Sequence, residues 1–318
     1  MKPKDLKEIL GDLEEPVREK QLKVERDPEL EKILAGLHRE FEASPESYVE
    51  GYLTFSEYCK RLAQFDITPA AVEQFTYELK MHEDKKYLKY YVGTFISAAV
   101  QVSFNHGHNG FYVPITYLEK EPQYLCNNIS GTKDKPLELT IEGNFNRSLW
   151  KISFLKLLIK GNITFCAEDV NSCEIEAVGN VGDGFCGGVR QTRNSKVKIT
   201  GDVGTFCGQQ ANGCEFEING RVIEDYLGTI AQNSKFILHQ NPGQNAAQFS
   251  HGCEFIILGW DNDWRIGSGS YDNIYRCKSP EAIEELKRNL PDTQTGKPRG
   301  NKVYKIHEDS SETLVAEI

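Results

Sequence analysis

The chain has 318 residues and 36.0 kDa, a formal charge of −10 and a pI near 5.3, long enough for one large core with appendages or for two domains. No Lys and Arg stripe offsets the acidic balance, so neither nucleic acid nor an anionic membrane is expected as a partner, because phosphate surfaces are held by clustered cations. Twenty-seven glycines against two methionines favour a turn-rich β architecture over a helical bundle.

The opening MKPKDLKEILGDLEEP lacks the apolar segment of a secretion signal, and no run reaches the ~18 apolar residues of a membrane helix, so a cytoplasmic setting is expected. Residues 1–92 read as a helical region. Asp27 is placed as an N-cap, with Pro28 in the first turn, ahead of LEKILAGLHREFEAS. Leu30, Ile33, Leu34, Leu37 and Phe41 share one face of that helix, which predicts burial. A second helical run covers Tyr48 to Phe65, and Thr68-Pro69 opens a third through AAVEQFTYELKMHE.

Residues 93–268 read as a parallel β-helix with its leading strands. VGTFISAAVQVSF and GFYVPITYL look like strands on either side of Asn105–Gly110. Within that turn His106 and His108 suggest a metal site, but one residue apart on a strand they point to opposite sides, and the sequence brings no third ligand nearby. A solvated turn is the expectation there.

From Leu137 to Gly259 one pattern recurs seven times. LELTIEG closes at Gly143, LKLLIKG at Gly161, CEIEAVG at Gly179, SKVKITG at Gly201 and CEFEING at Gly220; KFILHQN closes at Asn241 and CEFIILG at Gly259. The spacings of 18, 18, 22, 19, 21 and 18 residues suit one solenoid coil each. Four residues before the closing position stand Leu139, Leu157, Ile175, Val197, Phe216, Ile237 and Phe255, and two before it Ile141, Ile159, Ala177, Ile199, Ile218, His239 and Ile257. These are two inward columns of period-two strands. Five before it, Glu138, Lys156, Glu174, Lys196 and Glu215 alternate in sign, followed by Phe236 and Glu254. Stacked at about 4.8 Å, such residues become cross-strand neighbours of opposite charge. Glu176, Lys198 and Glu217 repeat the alternation in a second outward column.

Two corner columns complete each coil. Phe165-Cys166, Phe185-Cys186 and Phe206-Cys207 follow the strand, with Tyr226-Leu227 in the equivalent place. Asn171-Ser172, Asn194-Ser195, Asn212-Gly213 and Asn233-Ser234 precede the next strand, with His251-Gly252 replacing the last. Asn tolerates the left-handed backbone that a tight corner needs. A right-handed coil is expected, as for other parallel crossovers. Residues 269–318 form the C-terminal cap. Ser279-Pro280 opens a helix through EAIEELKRNL, Lys302–His307 forms a last strand, and EDSSETLVAEI is expected to fray.

Candidate chemistry is sparse. Six of the nine cysteines (Cys166, Cys173, Cys186, Cys207, Cys214, Cys253) fall in the corner columns and no C-x-x-C pair occurs, so they read as reduced, metal-free packing thiols. Asp261, Asp263, Glu224 and Asp225 form a carboxylate cluster, read as solvated surface. His239 reads as a core histidine bonded to a neighbouring group. The glycine-rich segments lack the Gly-Lys-Ser/Thr ending of a phosphate loop.

The turns Gly179-Asn180-Val181-Gly182 and Gly201-Asp202-Val203-Gly204 carry a resemblance over about residues 135–260. The stretch resembles the glycine-patterned β-helix domain at the C-terminal end of glutamate synthase large subunits and of a related formylmethanofuran dehydrogenase subunit. That resemblance implies a structural spacer with no catalytic residues to transfer. The expectation is therefore a mostly β protein, a right-handed single-stranded parallel β-helix of about seven coils. It assigns no catalytic, cofactor-binding or metal-binding residue and no cofactor. Function is expected to be that of a non-catalytic scaffold or assembly subunit with a protein partner, met around Phe65–Tyr91 and Trp260–Trp264, the oligomeric state being open. The alternative is an enzyme acting on a carbohydrate or other small molecule along one solenoid face.

Overall fold

Alternating apolar and charged residues bury one face of an extended chain only when neighbouring segments keep the same register, and the seven repeats do so. A computed structural model describes residues 28–43, 54–82, 88–165, 167–187, 191–223, 225–260, 265–267, 269–290 and 299–318. The protein is mostly β, a parallel β-solenoid of about seven turns behind an N-terminal helical region. One sheet runs its length. It begins with β1 (Phe111–Pro114) and continues through the repeats as β2 (Leu137–Glu142), β4 (Leu155–Lys160), β7 (Glu174–Val178), β9 (Lys196–Ile199), β10 (Glu215–Ile218), β11 (Lys235–Leu238) and β12 (Glu254–Ile257). Beyond the repeats it adds β13 (Ile274–Cys277), β14 (Lys302–Ile306) and an antiparallel β15 (Glu312–Glu317). Short pairs line the other sides: β3 (Ile152–Ser153) with β6 (Val170–Asn171), and β5 (Ile163–Phe165) with β8 (Val181–Asp183).

The expected register holds at its centre. Ile175, Val197 and Phe216 pair in one inward column, while Glu174, Lys196 and Glu215 pair outside it. Further along, Phe216, Phe236, Phe255 and Tyr275 stack ring on ring at 5.0, 4.9 and 5.4 Å between centroids. Each of these four is at most 1 % exposed.

The sixth coil corrects the sequence reading by one residue. Lys235 pairs with Glu215 and with Glu254, so Phe236 and Leu238 point inward while Ile237 and His239 point outward. The closing slot therefore belongs to Gln240, not Asn241. A slip of one residue exchanges the two faces of a strand, and the anchor on Asn241 produced that slip. The true register extends the charge alternation without a break over Glu138, Lys156, Glu174, Lys196, Glu215, Lys235 and Glu254.

Glycine dominates the closing slot because the coils nearly touch there. A Cβ on Gly161, Gly179 or Gly201 would stand 2.3 Å from the carbonyl oxygen of the glycine one coil earlier. The residue after it builds a ladder. The backbone N–H of Asn162 donates to Asn144 Oδ1 at 2.8 Å, that of Asn180 to Asn162 Oδ1 at 2.9 Å, and that of Asp202 to Asn180 Oδ1 at 2.9 Å. Arg221 then donates to Asp202 Oδ1 at 2.7 Å.

At the N-terminal end, α1 (Pro28–Glu42) buries Ile33, Leu34, Leu37 and Phe41 as the spacing predicts. Helix α2 (Phe55–Leu62) starts from a Thr54 and Glu57 capping box, and α3 (Pro69–Glu78) from Thr68 with Pro69 in its first turn. The segment expected to be a strand, VGTFISAAVQVSF, lies instead in helix α4 (Leu88–Asn105). Its β-branched residues mislead because the helix is buried on most sides, and such helices carry apolar residues all round.

This helix closes the open end of the solenoid. Gly93, Ser97 and Gln101 stand at successive turns along it. A Cβ on Gly93 would meet Gln123 O at 2.0 Å. Ser97 Oγ accepts from Cys126 N–H at 2.8 Å, and Gln101 Oε1 accepts from Ser130 N–H at 2.7 Å while its Nε2 donates to Ser130 O at 3.2 Å. Side chains thus satisfy edge groups that a preceding coil would otherwise satisfy. Gln101→Ala is expected to cost about 1–3 kcal/mol by orphaning Ser130, read as a lower urea midpoint at unchanged m-value.

The C-terminal end is closed differently. Ser279 caps α5 (Pro280–Asn289) as expected, accepting from Ala282 N–H at 3.2 Å. The tail expected to fray is β15, paired antiparallel with β14, and Glu312 is held by Arg276 at 2.9 Å.

Candidate functional site

The corner before each strand is where reactive groups concentrate. Its inward slot holds Cys173, Ser195, Cys214, Ser234, Cys253 and Asn273, one residue ahead of β7, β9, β10, β11, β12 and β13. The residue before that slot is left-handed in each of these six coils: Ser172, Asn194, Gly213, Asn233, Gly252 and Asp272 have φ between 48° and 64°. The aligned Asn pairs of the sequence therefore straddle two positions, because this corner selects a backbone conformation and not one residue type.

Each thiol in this slot is engaged. The N–H of Cys173 donates to Ser195 Oγ at 3.1 Å, that of Cys214 to Ser234 Oγ at 3.2 Å, and that of Cys253 to Asn273 Oδ1 at 2.8 Å. The thiols themselves donate to backbone carbonyls, Cys173 to Asn171 O at 3.3 Å and Cys253 to His251 O at 3.4 Å. Burial pushes Cys173 and Cys253 up to about 11, raises Cys214, and pushes Cys207 and Cys277 up to about 12. A nucleophilic or metal-ligating cysteine needs the opposite shift. No disulfide joins Cys173, Cys186, Cys207, Cys214 or Cys253, and Cys166 lies outside the described residues.

The other thiol column is realigned. Gly208 N–H bonds to Phe185 O and Gly228 N–H to Cys207 O, so Phe185, Cys207 and Leu227 form one buried column. Phe206 turns out at φ 61° and stacks on Tyr226 at 5.1 Å. In the next exposed column Ile230 precedes Phe249, its N–H bonding to Gln248 O. Phe206, Ile230 and Phe249 are 37 %, 41 % and 54 % exposed, which makes this side the solenoid's apolar strip.

The remaining sequence candidates are dispersed. His239, expected in the core, lies outside with Nε2 3.2 Å from Glu217 Oε1. Asp261, Asp263, Glu224 and Trp264 lie outside the described residues; of that carboxylate cluster, Asp225 is described, and its carbonyl accepts from Phe206 N–H at 3.2 Å. His106 and His108 follow α4 in a turn and both approach Asp66 Oδ1, at 3.7 and 3.4 Å. The strand geometry assumed for them does not apply. Among the described residues no group of three His, Cys, Asp or Glu is arranged to hold a metal ion, and no helix is long and apolar enough to cross a membrane.

Two features carried no sequence signal. His38 bonds through Nε2 to Glu78 at 2.7 Å and through Nδ1 to His82 at 3.0 Å, tying α1 to α3 across positions some forty residues apart. The outer face of the long sheet carries a shallow groove of about 750 Å³ from β1 to β10, floored by the charge columns. Near its β1 end Tyr112 donates to Glu142 at 2.7 Å, and Tyr77 stacks on Tyr117 at 5.5 Å. Comparison with family models, with curated proteins and with solved structures returns no match for this chain.

Proposed function

We propose that this chain is a non-catalytic cytoplasmic scaffold or assembly subunit, its solenoid serving as a rigid spacer of the kind that glycine-patterned β-helix domains provide in glutamate synthase large subunits. The observation that carries this reading is the contrast between inside and outside. The described corner thiols are buried, and several donate to backbone carbonyls, whereas large apolar side chains gather outside along Phe206, Tyr226, Ile230 and Phe249. Interface cores favour aromatic and apolar residues, and outward residues of a solenoid can change without disturbing its columns.

The partner is a protein that covers this strip. Ile230→Ser with Phe249→Ser is expected to abolish recovery of a partner that the wild-type chain retains from its native host, at unchanged circular dichroism and melting. Equal recovery by both proteins would count against the reading.

The groove on the outer sheet face supports a second reading, an enzyme acting on a carbohydrate or other small molecule. Alternate carboxylates of one column lie two strands apart, about 9.6 Å, near the ~6.5–9.5 Å that inverting glycosidases use. Turnover of a glycan by the isolated chain, lost in Glu174→Gln, would promote it over the scaffold.

A further inference from the structure

The charges on the outer sheet face are arranged in bands. Glu174 and Glu176 lie on β7, Lys196 and Lys198 on β9, Glu215 and Glu217 on β10, so each strand carries one sign and its neighbours the other. Cross-strand attraction alone does not require this. A checkerboard would give the same attraction between strands and would also replace the repulsion between like charges about 6.6 Å apart on one strand. Bands are the worse arrangement within one molecule. The lysine–glutamate pairs of this face are also loose, 3.8 Å for Lys156–Glu138, 4.0 Å for Lys198–Glu176 and 3.9 Å for Lys235–Glu254, and Lys196, Lys198 and Glu215 are exposed; Glu217 also meets His239 at 3.2 Å and Glu254 also meets Arg276.

A banded face is complementary to itself in one orientation. Two copies placed face to face about a two-fold axis along the solenoid would set each band on its own sign. A two-fold axis parallel to the strands reverses the order of the strands and keeps each column over the same column. If that axis passes midway between two strands, every band meets the opposite sign.

We propose that this face binds a second copy of the chain, antiparallel, about a two-fold axis parallel to the strands and midway between β9 and β10. Lys196 and Lys198 then meet the second copy's Glu215 and Glu217, Glu174 meets Lys235, and Lys156 meets Glu254. The placement also sets Leu158, half-buried on this face, against the second copy's half-buried Ile256. Shifting the axis by one strand, to lie between β7 and β9, would put Leu158 on Glu217 instead. One position is mismatched, Glu176 against Ile237. Six strands at about 4.8 Å and four residues at about 3.3 Å give on the order of 400 Å² per copy, at the low end for protein complexes. The dimer is therefore weak and dependent on ionic strength, since exposed charges are screened over about 10 Å at 0.1 M salt. It leaves the apolar strip free, so this inference does not rest on the scaffold reading.

Sedimentation equilibrium tests it on the full chain without any variant: a dimer is expected at about 0.05 M salt and a monomer at about 1 M, where screening falls to about 3 Å. Two variants then test the geometry. Lys196→Glu with Lys198→Glu makes both central bands negative, and Glu215→Lys with Glu217→Lys makes both positive. Each alone is expected to be folded by circular dichroism and monomeric, and a one-to-one mixture to form a heterodimer, because every central contact is again opposite in sign. A wild type that stays monomeric at low salt overturns the proposal. So does a dimer that both variants retain, or a pair of folded monomeric variants that do not recombine.

Discussion

Replacing Val197 with Asp is expected to abolish cooperative folding of the solenoid. Val197 is 2 % exposed and lies between Ile175 and Phe216 in the inward column of the long sheet. A carboxylate placed there has no cation within the column and must either stay buried and unpaired or take up a proton. Such substitutions fall in the exceptional class above about 4 kcal/mol, against total stabilities of about 5–15 kcal/mol for folded domains. Topology aggravates the loss. Each coil packs on its neighbours, so a failed coil near the middle separates two shorter arrays, each left with an uncovered end. Equilibrium unfolding in urea measures this: Val197→Asp should show no native baseline, or one lowered by more than about 4 kcal/mol. The neighbouring outward change Lys196→Gln should stay within about 0.5 kcal/mol. A Val197→Asp protein within about 1 kcal/mol of wild type would mean that this column is not the core.

The sequence reveals the solenoid because its two requirements leave separate marks. Burial demands period two, and stacking demands glycine where successive coils approach within 2.3 Å of a virtual Cβ. Where a second residue meets the same need, the mark blurs. Gln240 takes the closing slot of the sixth coil, and choosing the adjacent Asn241 moved Ile237 and His239 to the wrong face. Likewise, Ser172, Asn194, Gly213 and Asp272 all adopt the left-handed corner, so no single letter marks it. Helix α4 reads as strand for a different reason: VGTFISAAVQVSF is apolar on most sides, which leaves little period to distinguish helix from strand. Its cap role shows only in the spacing of Gly93, Ser97 and Gln101, four residues apart. The surfaces were harder to foresee. The apolar strip joins residues from coils about twenty positions apart, and Phe206 faces outward because it takes the left-handed slot of Gly184 and Tyr226, one position ahead of the buried slot of Phe185. The charge bands were visible over five coils, but their continuity over seven needed the corrected register.

Stability is expected to fall steeply above pH 9, and buried thiols are the cause. The folded state holds Cys173 and Cys253 at about 11 and Cys207 and Cys277 at about 12, whereas an unfolded cysteine titrates near 9. Between those values the unfolded chain has released a proton that the native chain keeps. The native state therefore binds more protons, and stability decreases as pH rises, by about 1.4 kcal/mol per pH unit for each thiol once the unfolded state is ionised. The contribution is fully present below pH 9 and lost progressively up to the folded values. Four thiols acting together would remove on the order of 5 kcal/mol per unit near pH 10 to 11, comparable with the whole stability of a domain. Urea unfolding under reducing conditions at pH 8, 9 and 10 should show little change over the first interval and a marked drop over the second. Cys207→Ala identifies the origin, since it should lower the pH slope by about one proton's worth even though it costs stability at pH 8 by leaving a small cavity. Native thiols should also resist alkylation at pH 8 and react at once in denaturant. A slope unchanged by Cys207→Ala, or rapid alkylation of the folded chain, would show that these cysteines are open to solvent and available for chemistry.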